Sequence, residues 1–305
     1  MLAFAIMIKD LVQETFKEWS NDKASRLAAA LSYYTIFSIA PLLVIAIALA
    51  SLVFGREAAT NQVVGEIRGL VGEDGAQVIQ TILQNASKTT SGVLATVIGI
   101  VTLLIGASGA FGQLQDSLNT IWEVKPREGR GFKGILRDRF LSFSMVLVIG
   151  FLLLVSLVLS AVLSGVGKYL SDVLPMSSVV LQAVNFVISL AVTSLLFALI
   201  FKVLPDAYVR WRDVWVGSVV TALLFSLGRF LIGLYLGRSS VSSAYGAAGS
   251  LVVILLWIYY SAQILFLGAE FTQVYANKFG VSIIPKPNAV RLKPAPPDTV
   301  AAATG

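Results

Sequence analysis

A chain of 305 residues with 56% hydrophobic and 13% charged residues, at a formal net charge of +6, is composed for a bilayer rather than for water. It contains no Cys, which excludes disulfides and thiolate metal sites, and no His, which excludes imidazole ligands, His-based acid–base catalysis and His pH switches. Its Lys and Arg residues collect between apolar runs, which is a topological pattern rather than a nucleic-acid footprint.

Taken in order, residues 1–26 read as a cytoplasmic interfacial helix. Phe4, Ile8, Leu11, Val12, Thr15 and Trp19 recur at helical spacing, with Lys9, Asp10, Lys17 and Glu18 elsewhere. Residues 27–279 read as one membrane domain of six spans. The first runs from about Leu27 to Phe54 and contains Pro41, which removes a backbone donor and predicts a kink or hinge. Glu57 to Lys88 is too polar to span and reads as an outer hairpin of two amphipathic helices turning at Gly72–Gly75. The second span, about Val93 to Asn119, ends in Gln113, Asp116 and Asn119 on a face of small residues.

A basic loop follows, with six Lys and Arg from Lys125 to Arg139. The third span, about Phe140 to Leu163, is almost wholly apolar, and the fourth, about Val179 to Phe201, aligns Gln182, Asn185, Ser189 and Thr193. The fifth, from Trp211 to Leu236, carries Arg229 in its outer half. The sixth, Tyr245 to Ala276, places Tyr259, Gln263, Phe266, Glu270, Gln273 and Asn277 in one narrow stripe opposite Leu, Ile, Val and Trp. A carboxylate inside a span is costly, so this stripe is expected to face other helices or a wet cavity. Residues 280–305, with five of the nine prolines, read as a disordered Pro-rich tail.

Seventeen Lys and Arg fall on the side of the two termini and five on the other, so both termini are expected in the cytoplasm. The fold class expected is therefore all-α, polytopic, with six transmembrane helices, an N-terminal amphipathic helix and an outer helical hairpin.

Four stretches carry a resemblance: Ser25–Leu43 (SRLAAALSYYTIFSIAPLL), Gly109–Trp122 (GAFGQLQDSLNTIW), Leu204–Ser218 (LPDAYVRWRDVWVGS) and Ala244–Ala276 (AYGAAGSLVVILLWIYYSAQILFLGAEFTQVYA). In this order they resemble the YihY/BrkB family of bacterial inner-membrane proteins, across about Ser25 to Phe279. The resemblance implies six helices in the bacterial cytoplasmic membrane. The family has carried a ribonuclease label and a virulence-factor label, and some relatives are connected with lipid or lipopolysaccharide-precursor traffic. It supplies no catalytic residue to carry over.

Metal-dependent phosphodiester cleavage needs clustered ligands, whereas Asp116, Asp138, Asp206, Asp213 and Glu270 lie on different segments. The basic loop also lacks interleaved aromatics for stacking on bases. The expectation is accordingly no enzyme, no catalytic residue, no metal, no cofactor and no nucleic acid. The leading function is a transporter or flippase-like protein for an amphiphilic or anionic, lipid-type substrate, with membrane lipids as partners and a homo-oligomer as a further expectation. The alternative is a non-transporting envelope scaffold, and the membrane ribonuclease is the remote third. Candidate substrate or seam residues are Arg229, Glu270, Gln263, Gln113, Asp116 and Asn185, with Pro41 as hinge. The competing readings are an interfacial ion pair for Glu270, outward snorkelling for Arg229, capping or interhelical hydrogen bonds for Gln113 and Asp116, and packing for Asn185. By rise per residue Arg229 and Glu270 lie about 20 Å apart in depth, too far for a direct ion pair.

Overall fold

The computed structural model describes residues 2–87, 109–127, 178–238, 249–280 and 283–292. Seven helices and four short strands occur among them: α1 (Leu2–Asn21), α2 (Ala24–Phe54), α3 (Arg56–Ser87), α4 (109–121), β1 (Val124–Pro126), α5 (Ser178–Val203), β2 (Ala207–Tyr208), α6 (Trp211–Arg238), α7 (Gly249–Phe279), β3 (Ile284–Pro285) and β4 (Ala289–Arg291). Among the described residues three helices are long and apolar enough to cross a membrane, over Phe186–Val203, Trp211–Ile232 and Leu251–Phe279. These are the expected fourth, fifth and sixth spans. The expected first span is the 31-residue helix α2, the second is described only over 109–121, and the third lies outside the described residues.

Local chemistry sets the helix ends. Lys23, at φ 54°, breaks α1 from α2, and Gly55, at φ 77°, ends α2 in a conformation that suits a residue without Cβ. α5 stops before Pro205, and Asp213 lies in the first turn of α6, where a carboxylate complements the helix dipole. α2 is helical throughout, Pro41 included.

α7 is the spine of the molecule. Ala262, Leu265, Phe266, Ala269 and Ala276 belong to a buried cluster shared with the start of α2, α4, the end of α5 and the start of α6. Ile254 and Ile258, nearer its N-terminus, belong to a second cluster with Ile47 of α2 and Ala59, Val64, Ala76, Ile79 and Leu83 of α3. One helix about 46 Å long therefore ties together two cores at opposite ends of the bundle.

The expected outer hairpin takes an unexpected form. Residues 56–87 are helical throughout rather than divided into two helices at Gly72–Gly75. Yet Arg56 and Thr60 face the same stretch of α2, Val44 to Ser51, as do Gln80, Leu83 and Gln84. A straight helix would hold Arg56 and Gln84 about 42 Å apart, so the segment doubles back between them. Its return places Ala59 and Leu83 in one core.

The tail also departs from expectation. Residues 283–292 are not an independent extension: β4 pairs antiparallel with β1 (Val124↔Arg291, Pro126↔Ala289) and β3 with β2 (Ala207↔Pro285). Prolines read alone indicate an open chain, but here Pro126 and Pro285 sit in two short strand pairs with distant partners, where the missing N–H is tolerated. Residues 293–305 lie outside the described residues.

Candidate functional site: an interior polar seam and the knot beneath it

The seam begins with the periodicity of α7. Phe266 and Glu270 are completely buried and Gln273 nearly so, while Tyr259 and Gln263 are half-buried and Asn277 is exposed. Leu251, Leu255 and Leu256 lie exposed nearer the N-terminus. The stripe thus turns inward as its polarity demands. Its upper member, Gln263, has a buried Oε1 with no hydrogen-bond partner among the described residues. An unmet acceptor in an apolar interior is a costly group.

Close backbone approach makes room for the seam. Thr221 of α6 donates to the Gly217 carbonyl, and Thr272 of α7 donates to the Gly268 carbonyl, each four residues back along its own helix. With its hydroxyl so engaged, each threonine lies over the glycine of the opposite helix, and small residues of this kind allow helices to pack closely in membranes. Gly228 faces Ile264 and Tyr260 in the same manner.

Arg229 is one residue on, and it is exposed with Phe230 and Leu231. The helical rotation that aims Gly228 at α7 carries Arg229 away from it. The structure therefore does not bring Arg229 into the buried stripe with Glu270. Gln113 turns onto its own helix, donating through Nε2 to Ser117 Oγ at 3.2 Å, and Asp116 is exposed. Asn185 is helical within α5, and its side chain, like that of Pro41, is outside what is described.

Below the seam lies a polar knot whose partners were not legible in the sequence. Asn119, at the end of α4, accepts from the Asp206 backbone N–H at 2.7 Å and donates to Asp206 Oδ2 at 3.1 Å. Asn288, from the turn between β3 and β4, donates to Asp206 Oδ1 at 3.1 Å, and the Lys286 N–H donates to the Asp206 carbonyl at 2.9 Å. Asp206 is 5% exposed, so it is a buried anion held by neutral donors, the arrangement that burial of a charge requires.

Lys286 Nζ caps the C-terminus of α5, donating to the carbonyls of Val203 (3.2 Å) and Pro205 (2.7 Å). Burial lowers its pKa from the ordinary lysine value, the Asp206 charge opposes that, and Lys202 adds to it. Lys202 Nζ donates to the Val209 carbonyl and lies 5.6 Å from the Trp211 ring centroid. The sequence signals for this knot are Asn119 at the polar end of the second span and Leu204-Pro205-Asp206 at the end of an apolar run, with nothing to pair them.

Among the described residues no group of three or more Asp and Glu side chains is placed to hold a metal ion. An apolar helical bundle with candidate spans, a buried polar stripe and a polar knot at one end defines a helical membrane protein. The chain belongs to the BrkB family: a family model described as "Virulence factor BrkB" matches residues 15–293. A UPF0761 membrane protein of Teredinibacter turnerae is 29% identical over 269 residues, covering 87% of this chain and 60% of that protein. One from Pseudomonas aeruginosa is 31% identical over 254 residues (82% and 58%), and one from Ralstonia nicotianae 27% identical over 264 residues (86% and 58%). This chain thus spans somewhat less than two thirds of the length of these relatives. No solved structure matches it.

Proposed function

We propose that this protein is a six-span transporter, flippase-like in action, for an amphiphilic or anionic lipid-type substrate in the bacterial inner membrane, with both termini cytoplasmic. The observation that carries the reading is the inward stripe of α7, where Gln263, Glu270 and Gln273 stand within an otherwise apolar helix. Polar groups at such a position are expensive and are retained where something polar is bound or moved. The distribution of Lys and Arg supports the orientation.

The Gly–Thr packing of α6 on α7 favours a second reading, a non-transporting envelope scaffold, because it makes that pair tight. Purified protein in liposomes containing fluorescent anionic lipid separates the two. Movement between leaflets above protein-free liposomes, lost in Glu270→Leu, supports transport. Absence of movement in active-membrane orientations of every lipid tried, with the protein folded, leaves the scaffold. Cysteines at Ser87 and Ser240 labelled from outside intact cells, and at Gly131 unlabelled, test the topology.

A further inference from the structure

The doubled-back α3 encloses, with α2, a cavity of about 540 Å³ that is separate from the α7 stripe. Val44, Ile47 and Leu83 form its apolar wall, and Arg56, Gln80 and Gln84 supply long polar side chains. Two hydroxyls also line it, but both are spent on their own helices: Ser51 donates to the Ile47 carbonyl and Thr60 to that of Arg56. Among the described residues the lining includes no carboxylate, and the exposed Arg56 makes no ion pair. The site is therefore cationic at one end and greasy at the other.

Its position narrows the occupant. Ile47 is 21 residues beyond Arg26 along α2, about 31 Å at helical rise, which is the thickness of a hydrocarbon core. On the proposed six-span topology, the cavity thus stands where α2 reaches the headgroup layer opposite the N-terminus. Its volume is within the range of roughly 300–1,000 Å³ for ligand sites. That suits a headgroup and the first part of one acyl chain, with the remaining hydrocarbon left in the bilayer.

We infer that this cavity binds the phosphate-bearing headgroup of an anionic phospholipid. Arg56 takes the phosphate as a two-pronged donor, Gln80 meets a headgroup hydroxyl, and the acyl chain lies along Val44, Ile47 and Leu83. The inference goes beyond the transport reading and holds equally for a scaffold, because it concerns occupancy and not movement.

The test uses the full chain in detergent micelles containing equal amounts of phosphatidylglycerol and phosphatidylethanolamine, followed by washing and quantification of retained lipid. Wild type is expected to retain phosphatidylglycerol in roughly tenfold preference, and Arg56→Gln to lose the preference while melting normally, since Arg56 is exposed. Arg56→Lys should be intermediate, because an ammonium keeps the charge and loses the fork. Ala48→Phe, which fills the cavity, should lower retention of both lipids, and phosphatidylglycerol should raise the melting temperature of wild type but not of Arg56→Gln. Equal phosphatidylglycerol retention in wild type and Arg56→Gln would overturn the proposal. Full competition by soluble glycerol 3-phosphate would overturn the lipid assignment in favour of a free phosphate ester. Retention that depends on Arg56, without leaflet-to-leaflet movement in liposomes, supports this site while counting against transport.

Discussion

Thr272 stands over Gly217: a Cβ built on that glycine would meet the threonine Oγ1 at 1.8 Å and its Cβ at 2.7 Å. The relationship is reciprocal, since a Cβ on Gly268 would meet Thr221 Oγ1 at 2.0 Å. Neither threonine side chain can yield cheaply, because each hydroxyl is fixed to a carbonyl of its own helix at 2.7 Å.

Gly217→Ala is therefore expected to destabilise the protein by about 1–3 kcal/mol, the usual cost of overpacking, or to part α6 from α7. Thr272→Gly should restore much of the loss when combined with it, because the clash is with the Oγ1, Cβ and Cγ2 atoms of that side chain and Ala would leave the Cβ in place. Thermal unfolding in detergent, followed by Trp fluorescence for the four members of the cycle, measures the coupling. Strict additivity would show that the two helices already separate at this point.

At the knot, Asp206→Ala should cost more than Asn288→Ala. The first removes the acceptor for two side-chain donors and strands buried Asn119, whereas the second removes one donor from a half-exposed turn. Asn119→Ala should approach Asp206→Ala, at about 1.5–3 kcal/mol for a bond to a charged group. Limited proteolysis should cut between β3 and β4 faster in both. Equal cleavage in wild type and Asp206→Ala would mean that strand pairing alone holds the segment.

For Glu270, the Gln substitution should melt closer to wild type than the Leu substitution does. An amide preserves the shape and hydrogen-bonding capacity of a fully buried side chain, and Leu preserves neither. The same two variants in the leaflet-movement assay distinguish a need for charge from a need for polarity. Coincident melting curves for Gln and Leu would remove Glu270 from the structural account.

The lowered pKa of Lys286 predicts a pH dependence. Between the lowered value and the ordinary lysine value of about 10.5, the folded protein binds fewer protons here than the unfolded chain does. Stability from this group therefore grows with rising pH across that window and is lost as pH falls through the folded pKa. Lys286→Arg stays charged throughout, so the melting-temperature difference, wild type minus Lys286→Arg, should increase as pH rises. A difference that is flat with pH would place Lys286 in water.

What was legible in the sequence was whatever a single helix records in its own periodicity. The limits of α5, α6 and α7 came within a few residues, and the inward stripe through Phe266, Glu270 and Gln273 came from rotation alone. What was not legible depended on residues far apart in the chain. Asn119 and Asp206 are 87 positions apart, and their bond is invisible to any local pattern. The tail misled for the same reason, since β3 and β4 exist through β2 and β1. Arg229 shows a different limit: its depth was computable, but only the neighbouring Gly228 contact shows that it turns away from α7.

The interlocked glycines and threonines also restrict how the molecule can move. Sliding α6 along α7 by one turn, about 5.4 Å, would drive each threonine out of its notch and against a bulkier neighbour. The pair consequently behaves as a single strut without a ratchet position, so among the described helices relative motion falls to α2 and α3 against it, with Gly55 at the turn between them.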